Sequence, residues 1–147
     1  MDRRKFLHHT CICSVTGITM GGLVQGCTAI KYSAGTILDS DMLIPLEDFA
    51  DRTGKDVQYR KFVIASNEIL KYPVCVFRFS DTDYKALWPQ CTHQGSELQV
   101  FGDTLMCPAH GSEFDASGNV MSGPAEEPLR VFPVTIEGDY LKISLKK

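Results

Sequence analysis

The sequence predicts an all-β fold, a sandwich or a barrel, and two observations support that prediction. Short runs rich in β-branched and aromatic residues recur along the chain, separated by Gly, Asp, Asn and Pro, which is the pattern of strands joined by turns. Near the C-terminus, apolar Val134, Ile136, Leu141 and Ile143 alternate with polar residues on both sides of a turn at 137–139. Such alternation is typical of a hairpin that buries one face.

Taken from the N-terminus, the chain begins with features of a bacterial export signal. A charged start is followed by a weakly apolar stretch, and small residues precede Cys27. Arg3-Arg4 followed by Phe6-Leu7 resembles a twin-arginine signal, which exports folded proteins. We therefore expect residues 1–27 to be an export signal and the protein to lie at the outer, periplasmic face of a cytoplasmic membrane.

The same segment offers two ways of holding the protein at a membrane. Residues 24–27, Val-Gln-Gly-Cys, resemble a lipobox, in which Cys27 would be lipidated and become the new N-terminus. The 19-residue stretch 6–24 is near the lower length limit for a membrane-spanning anchor, and polar residues interrupt it. We favour the lipid anchor, and the uncleaved anchor is the alternative.

After the signal, residues 28–35 have no hydrophobic period and are expected to be a tether, while residues 36–147 are expected to form one domain. Residues 46–50 predict one helical turn. The predicted strands are 42–45, 59–65, 74–79, 84–88, 104–106, 131–136 and 140–145. Cys75, inside an apolar run, is interpreted as a small core residue.

Between the middle strands the composition changes, which predicts a small subdomain built from loops at about 89–128. This segment holds five glycines together with Pro108 and Pro124, and it has few branched aliphatic residues. A segment of that kind packs poorly by itself, so we expect it to be organised around a bound group.

Two Cys/His pairs lie in this segment. Cys91 precedes His93 by two residues, and Cys107 precedes His110 by three, each pair close to a glycine. Tight turns at glycine can bring one thiolate and one imidazole from each loop to a shared metal centre. Core histidines with a disulfide are one alternative. A tetrahedral zinc site is another, although zinc fingers usually group Cys with Cys and His with His.

With these pairs the sequence resembles the Rieske iron-sulfur family. The second pair is followed by Ser112, by Phe114-Asp115 and by Gly118, and then by Gly123-Pro124-Ala125 and Pro128-Leu129. The resemblance implies an antiparallel β sandwich or barrel with one [2Fe-2S] cluster. It also implies that Cys91 and Cys107 bind one iron and His93 and His110 the other, and that residues 123–125 cover the cluster.

Two departures from the family pattern indicate which kind of member this is. Quinol-oxidising members usually join the two ligand loops by a disulfide, and the matching positions here are Ser96 and Ala109. Those members also pair a serine with a tyrosine as hydrogen-bond donors to sulfur, and here Ser112 is kept while Phe114 takes the tyrosine position. Loss of one donor is expected to lower the reduction potential.

The resemblance implies one-electron transfer by a carrier or redox subunit, without conversion of a substrate by this chain alone. The expected partners are redox proteins or a quinol-linked membrane complex. The alternative is the Rieske subunit of a quinol-oxidising, cytochrome bc-like complex, and a zinc-stabilised structural domain is a further one. Nucleic acid is not expected as a partner, because the net charge is −3 and the basic residues beyond the N-terminus are scattered.

Overall fold

The computed structural model describes residues 29–52 and 55–146. The predicted export signal and Cys27 lie outside these residues. Within them, fifteen short strands and one 3₁₀ turn, Leu46–Phe49, make the domain all-β, as predicted. The strands are β1 (Tyr32–Ala34), β2 (Thr36–Leu38), β3 (Asp41–Pro45), β4 (Ala50–Asp51), β5 (Gln58–Tyr59), β6 (Phe62–Ser66), β7 (Val74–Arg78), β8 (Tyr84–Leu87), β9 (Gln99–Phe101), β10 (Thr104–Met106), β11 (Glu113–Asp115), β12 (Val120–Ser122), β13 (Val131–Phe132), β14 (Val134–Glu137) and β15 (Tyr140–Ser144).

Two of the sheets share one hydrophobic core. The five-stranded sheet has the order β1-β6-β7-β8-β13, and a four-stranded sheet has the order β14-β15-β3-β2. Met42 and Ile44 of β3 and Leu141 of β15 bury their side chains with Val63 of β6 and Val76 of β7. The C-terminal hairpin predicted from alternation is present and pairs antiparallel, with Ile136 opposite Leu141.

A third sheet, β12-β11-β10-β9, forms the base of the segment that carries the Cys/His pairs. It packs on the opposite face of β7 and β8 through a second core, which includes Cys75, Phe77 and Leu87. Both faces of β7 are therefore covered, which explains why Val74-Cys75-Val76-Phe77 is an unbroken apolar run. Cys75 is fully buried, as predicted, and burial raises the pKa of its thiol strongly.

The segment at 28–35 differs from the expected tether. Residues 32–34 form β1, which pairs in parallel with β6, with Ser33 opposite Ala65. Ser33 is buried, and its hydroxyl donates a 2.5 Å hydrogen bond to the Asp48 carboxylate. A strand whose inward residue is a hydrogen-bonded serine has no hydrophobic alternation, so local sequence did not indicate it.

Two predicted strands are divided in the structure. The run predicted at 59–65 becomes β5 and β6, separated by Arg60 and Lys61, and the run predicted at 131–136 becomes β13 and β14 at Pro133. Proline has no N–H to donate to a ladder, so the chain leaves one sheet there and enters the other. None of the helical segments in the described residues has the length and apolarity required to cross a membrane.

Candidate metal centre

The first ligand loop, residues 91–96, follows β8 after a three-residue connection and closes on itself. The N–H of Gly95 donates to the carbonyl of Cys91 at 2.7 Å, and the N–H of Cys91 donates to the carbonyl of Ser96 at 2.8 Å. Gly95 has φ = 76°, a left-handed conformation that favours glycine, so the turn depends on this residue. His93 lies at the tip of the loop.

The second ligand loop, residues 107–112, repeats the same hydrogen bonds. Gly111 donates to Cys107 at 3.0 Å, Cys107 donates to Ser112 at 2.8 Å, and Gly111 also has φ = 76°. The loops therefore have the same length and closure, and they differ in whether the histidine follows the cysteine by two or by three residues. That difference in spacing is visible in the sequence, but the two backbone hydrogen bonds that close each loop are the same.

In the two ligand loops the cysteines lie inside and the histidines outside. Cys91 and Cys107 are 2% and 1% exposed, and their thiols are hydrogen-bonded to each other. His93 and His110 are both exposed, with ring centroids 5.2 Å apart and an angle of 88° between the ring planes. The two loops thus present a buried pair of thiols and a surface pair of imidazoles.

The surroundings of the Cys107 thiol favour its negatively charged thiolate form. Burial by itself would raise the pKa of Cys107. Hydrogen bonds from the backbone N–H groups of His110 and Ala109 and from the side chains of Cys91 and Ser96 outweigh burial, so the pKa lies below the ordinary value of a thiol. A ring of donors that favours thiolate is what a metal-binding sulfur requires.

The proline-bearing third loop lies against both ligand loops. Ala125 is buried, and its N–H donates a 3.0 Å hydrogen bond to the hydroxyl oxygen of Ser112, which is also buried. The hydroxyl of Thr92, in the first ligand loop, donates to the carbonyl of Glu127 at 2.7 Å. Gly123 and Pro124 are exposed, so of residues 123–125 only Ala125 is enclosed.

Phe114 is fully buried in β11, between Leu105 of β10 and Val120 of β12, in the same core as both cysteines. The tyrosine position of the family pattern is therefore occupied here by an apolar ring under the site. Phe114 itself carries no hydroxyl that could donate a hydrogen bond to sulfur.

Sequence reasoning missed Ser96 as a participant in the site. It was noted only as the position of an absent cysteine, yet its hydroxyl hydrogen-bonds the thiol of Cys107. The site therefore has two hydroxyls, Ser96 and Ser112, where the sequence indicated one. The equal spacing of Cys91 to Ser96 and of Cys107 to Ser112 was the signal that could have revealed it.

A second group that was missed supports the first ligand loop from below. The carbonyl of Gly95 accepts hydrogen bonds from the Tyr72 hydroxyl at 3.1 Å and from the Gln90 side-chain amide at 3.4 Å. The indole N–H of Trp88 donates to the Gln90 side-chain oxygen at 3.0 Å. Tyr72 precedes β7 by two residues, and no local pattern in the sequence connects it with Gly95.

The donor set fits a two-iron cluster. Two thiols lie side by side and two imidazoles lie side by side, so each kind of donor can serve its own iron. Within residues 29–52 and 55–146, no three His, Cys, Asp or Glu side chains are grouped so that they could hold a single metal ion.

Comparison with known proteins finds relatives among the iron-sulfur subunits of cytochrome b6-f complexes. The cytochrome b6-f complex iron-sulfur subunit of Synechococcus sp. (strain WH7803) is 39% identical, and the alignment covers 98% of this chain and 85% of that protein. The cytochrome b6-f complex iron-sulfur subunit 2 of Nostoc sp. (strain PCC 7120 / SAG 25.82 / UTEX 2576) is 41% identical over 56 residues, which are 37% of this chain. That alignment spans only 32% of the relative's own length.

Among solved structures, the domain is similar to the cyanobacterial plasma membrane Rieske protein PetC3 from Synechocystis PCC 6803. The TM-score is 0.50 at 28% sequence identity, and the match covers 57% of this chain and 86% of that one. Residues 50–133, more than half of the chain, match the model of the Rieske [2Fe-2S] domain. The protein therefore belongs to the Rieske [2Fe-2S] domain family, and its cofactor is a [2Fe-2S] cluster rather than zinc.

Proposed function

We propose that this protein transfers single electrons through a [2Fe-2S] cluster held by Cys91 and Cys107 on one iron and by His93 and His110 on the other. The observation that carries the proposal is that the same two loops hold a buried pair of thiols and an exposed pair of imidazoles. Exposed imidazole edges let a redox partner approach the cluster, while the thiol side stays covered by the second core.

The choice of ligands sets the range of the reduction potential. Each neutral imidazole takes the place of a thiolate, and one negative charge at about 4 Å costs about 4 kcal/mol at an effective dielectric of about 20. Two such charges correspond to about 0.35 V for one electron. That difference is of the size that separates Rieske centres from clusters held by four cysteines, so a mild reductant such as a quinol is a suitable donor.

The ligand assignment is tested by metal analysis of the full-length protein purified at low oxygen. We expect about two irons per chain, a coloured sample and an electron paramagnetic resonance signal after reduction. Cys107→Ser should abolish that signal, while Cys75→Ser, which changes a buried cysteine of β7 that lies in neither ligand loop, should leave the iron content of the folded protein unchanged. Stoichiometric zinc in a fresh, colourless sample would refute the assignment.

A second candidate is the Rieske subunit of a quinol-oxidising complex. Two relatives of this protein are named as iron-sulfur subunits of cytochrome b6-f complexes, and this favours the second candidate. The absence of the loop disulfide at Ser96 and Ala109 and the apolar ring of Phe114 favour a carrier of lower potential. A redox titration of the full-length protein separates the two, because a potential near the top of the Rieske range, about +300 mV, supports the quinol-oxidising subunit.

We further propose that the protein is exported in the folded state and is held at the outer face of the cytoplasmic membrane by a lipidated Cys27. The signal-like start and the lipobox-like residues support this proposal. Cys27→Ser should release the protein from the membrane fraction or stop its processing, and Arg3→Lys with Arg4→Lys should block its export. Unchanged attachment without an acyl group on Cys27 would favour the uncleaved anchor instead.

A further inference from the structure

The two ligand loops share one internal frame but are supported from below by different groups. In the second loop, Ser112 takes a hydrogen bond from the third loop through Ala125. In the first loop, the carbonyl of Gly95 is held by Tyr72 and Gln90. At Gly95 the support of the first loop therefore comes from the end of the five-stranded sheet, in addition to the hydrogen bond from Thr92 to Glu127 of the third loop.

The orientation of Gln90 is determined by its neighbours. Its side-chain oxygen accepts the indole N–H of Trp88 at 3.0 Å, so its NH₂ group must face the carbonyl of Gly95. Gly95 also lies close to this amide, since a Cβ on Gly95 would come within 3.1 Å of the Gln90 side-chain nitrogen. The contact is thus close as well as hydrogen-bonded.

The rings of Tyr72 and Trp88 connect the side-chain amide of Gln90 to the core between the five-stranded sheet and the sheet β14-β15-β3-β2. Their rings are 6.0 Å apart, and the ring of Trp88 meets that of Phe132 edge-to-face at 5.9 Å. Phe132 is 3% exposed and belongs to that core. Packing of the Tyr72 ring therefore fixes the position from which its hydroxyl donates to Gly95.

The carbonyl of Gly95 and the N–H of Ser96 belong to one peptide group. Two hydrogen bonds on that carbonyl fix the plane of the peptide and so fix where the Ser96 side chain begins. The hydroxyl of Ser96 is hydrogen-bonded to the Cys107 thiol across the two ligand loops. The loops are thereby joined at the position where the family pattern would have a cysteine.

We propose that Tyr72, assisted by Gln90, is a positioning residue that clamps the first ligand loop and holds Ser96 against Cys107, in place of a disulfide between the loops. The proposal rests on the proposed role of Cys107 as a cluster ligand. Tyr72 is not one of the proposed ligands, and it acts through the Gly95–Ser96 peptide.

Tyr72→Phe in the full-length holoprotein tests the clamp, because it keeps the ring against Trp88 and removes only the hydroxyl. We expect cluster absorbance to disappear about three- to tenfold faster in the presence of an iron chelator, which is about 0.6–1.4 kcal/mol at 1.36 kcal/mol per tenfold and is the size of one hydrogen bond. We also expect the ratio of reduced to oxidised protein at a fixed ambient potential to fall about threefold, or about 28 mV at 59 mV per tenfold.

Tyr84→Phe is the matched control. Tyr84 is half-buried against Phe49, and its hydroxyl makes no hydrogen bond within residues 29–52 and 55–146. It should change neither the rate of cluster loss nor the potential. A merely structural effect of removing a hydroxyl would lower the unfolding midpoint of either variant and leave the potential of both unchanged.

Gln90→Met provides a second variant of similar size and without charge, in case Tyr72→Phe is not recovered with cluster. It should also speed cluster loss and lower the potential. If either variant, folded and loaded, matches the wild type in both measurements, the clamp is refuted. If the wild type itself contains no iron, the proposed ligand set fails instead, so the two failures are distinguishable.

Discussion

The backbone N–H of Ala125 donates a 3.0 Å hydrogen bond to the hydroxyl oxygen of Ser112, and both residues are buried. A hydroxyl can accept and donate at the same time. Because the oxygen of Ser112 accepts from the third loop, the rotation of the hydroxyl is restricted and its hydrogen remains for a sulfur acceptor. The third loop therefore orients the hydroxyl of Ser112 as a donor.

Ser112→Ala should lower the reduction potential. A hydrogen bond to sulfur stabilises the reduced, more negative state more than the oxidised one. A charge-assisted bond contributes about 1.5–3 kcal/mol in total, and only its change on reduction counts, so we expect a decrease of about 50–100 mV. Ser122→Ala, an exposed serine of β12 in the same sheet, is the control. An unchanged potential in the Ser112 variant would contradict the role of this hydroxyl.

Phe114→Tyr should raise the potential by a similar amount. The ring of Phe114 lies in the core that contains both cysteines, and the family pattern has a tyrosine at this position that donates to sulfur. Phe101→Tyr adds the same hydroxyl to an exposed ring of β9 and should have no effect. A redox titration followed by electron paramagnetic resonance measures both variants, and a folded Phe114 variant with an unchanged potential would refute the expectation.

His110→Cys should lower the potential even if the cluster assembles. A thiolate in place of imidazole adds one negative charge, worth about 4 kcal/mol at about 4 Å and an effective dielectric of about 20, or about 0.2 V for one electron. Gln94→Cys places a cysteine on the exposed face of the first loop without replacing a ligand, and it should keep the wild-type potential. Equal potentials for the wild type and the His110 variant, measured under reducing conditions, would exclude His110 as a ligand.

Asp115→Asn should destabilise the domain in a pH-dependent way. Burial alone would raise the pKa of Asp115, but hydrogen bonds from the Asn119 side chain and from the backbone N–H groups of Asn119, Ser117 and Gly118 outweigh it, so the pKa is lowered. The carboxylate accepts from Ser117 at 2.8 Å and from Asn119 at 2.9 and 3.0 Å, closing the turn between β11 and β12.

A lowered pKa in the folded state means that the stabilisation is present above the unfolded pKa of about 3.9 and is lost as the pH falls through the folded pKa. We expect Asp115→Asn to cost about 1–2 kcal/mol at pH 7 and progressively less below about pH 4. Denaturant unfolding across this range measures the difference. Asp83→Asn, at an exposed carboxylate, is the control, and a loss in the Asp115 variant that does not change with pH would contradict the account.

The two loops that carry the Cys/His pairs could be predicted from sequence because their geometry is local. Each loop closes between residues at most five apart, at a glycine that adopts positive φ, so the spacing of Cys91, Gly95 and Ser96 already contains the frame. The C-terminal hairpin was predictable for a similar reason, since an alternating strand exposes its buried face as a period of two residues. The sequence also indicated the family and its cofactor, which the comparisons confirm.

Only the tertiary structure determined which distant residues contact β1 and the two ligand loops. Strand β1 pairs in parallel with β6, more than thirty residues away, and Tyr72 reaches Gly95 over a separation of 23 residues. Neither contact leaves a period or a motif in the chain, because each depends on where the sheets place two distant backbones. Likewise, Ser96 is an ordinary loop serine in the sequence, and it becomes a partner of Cys107 only when the two ligand loops meet.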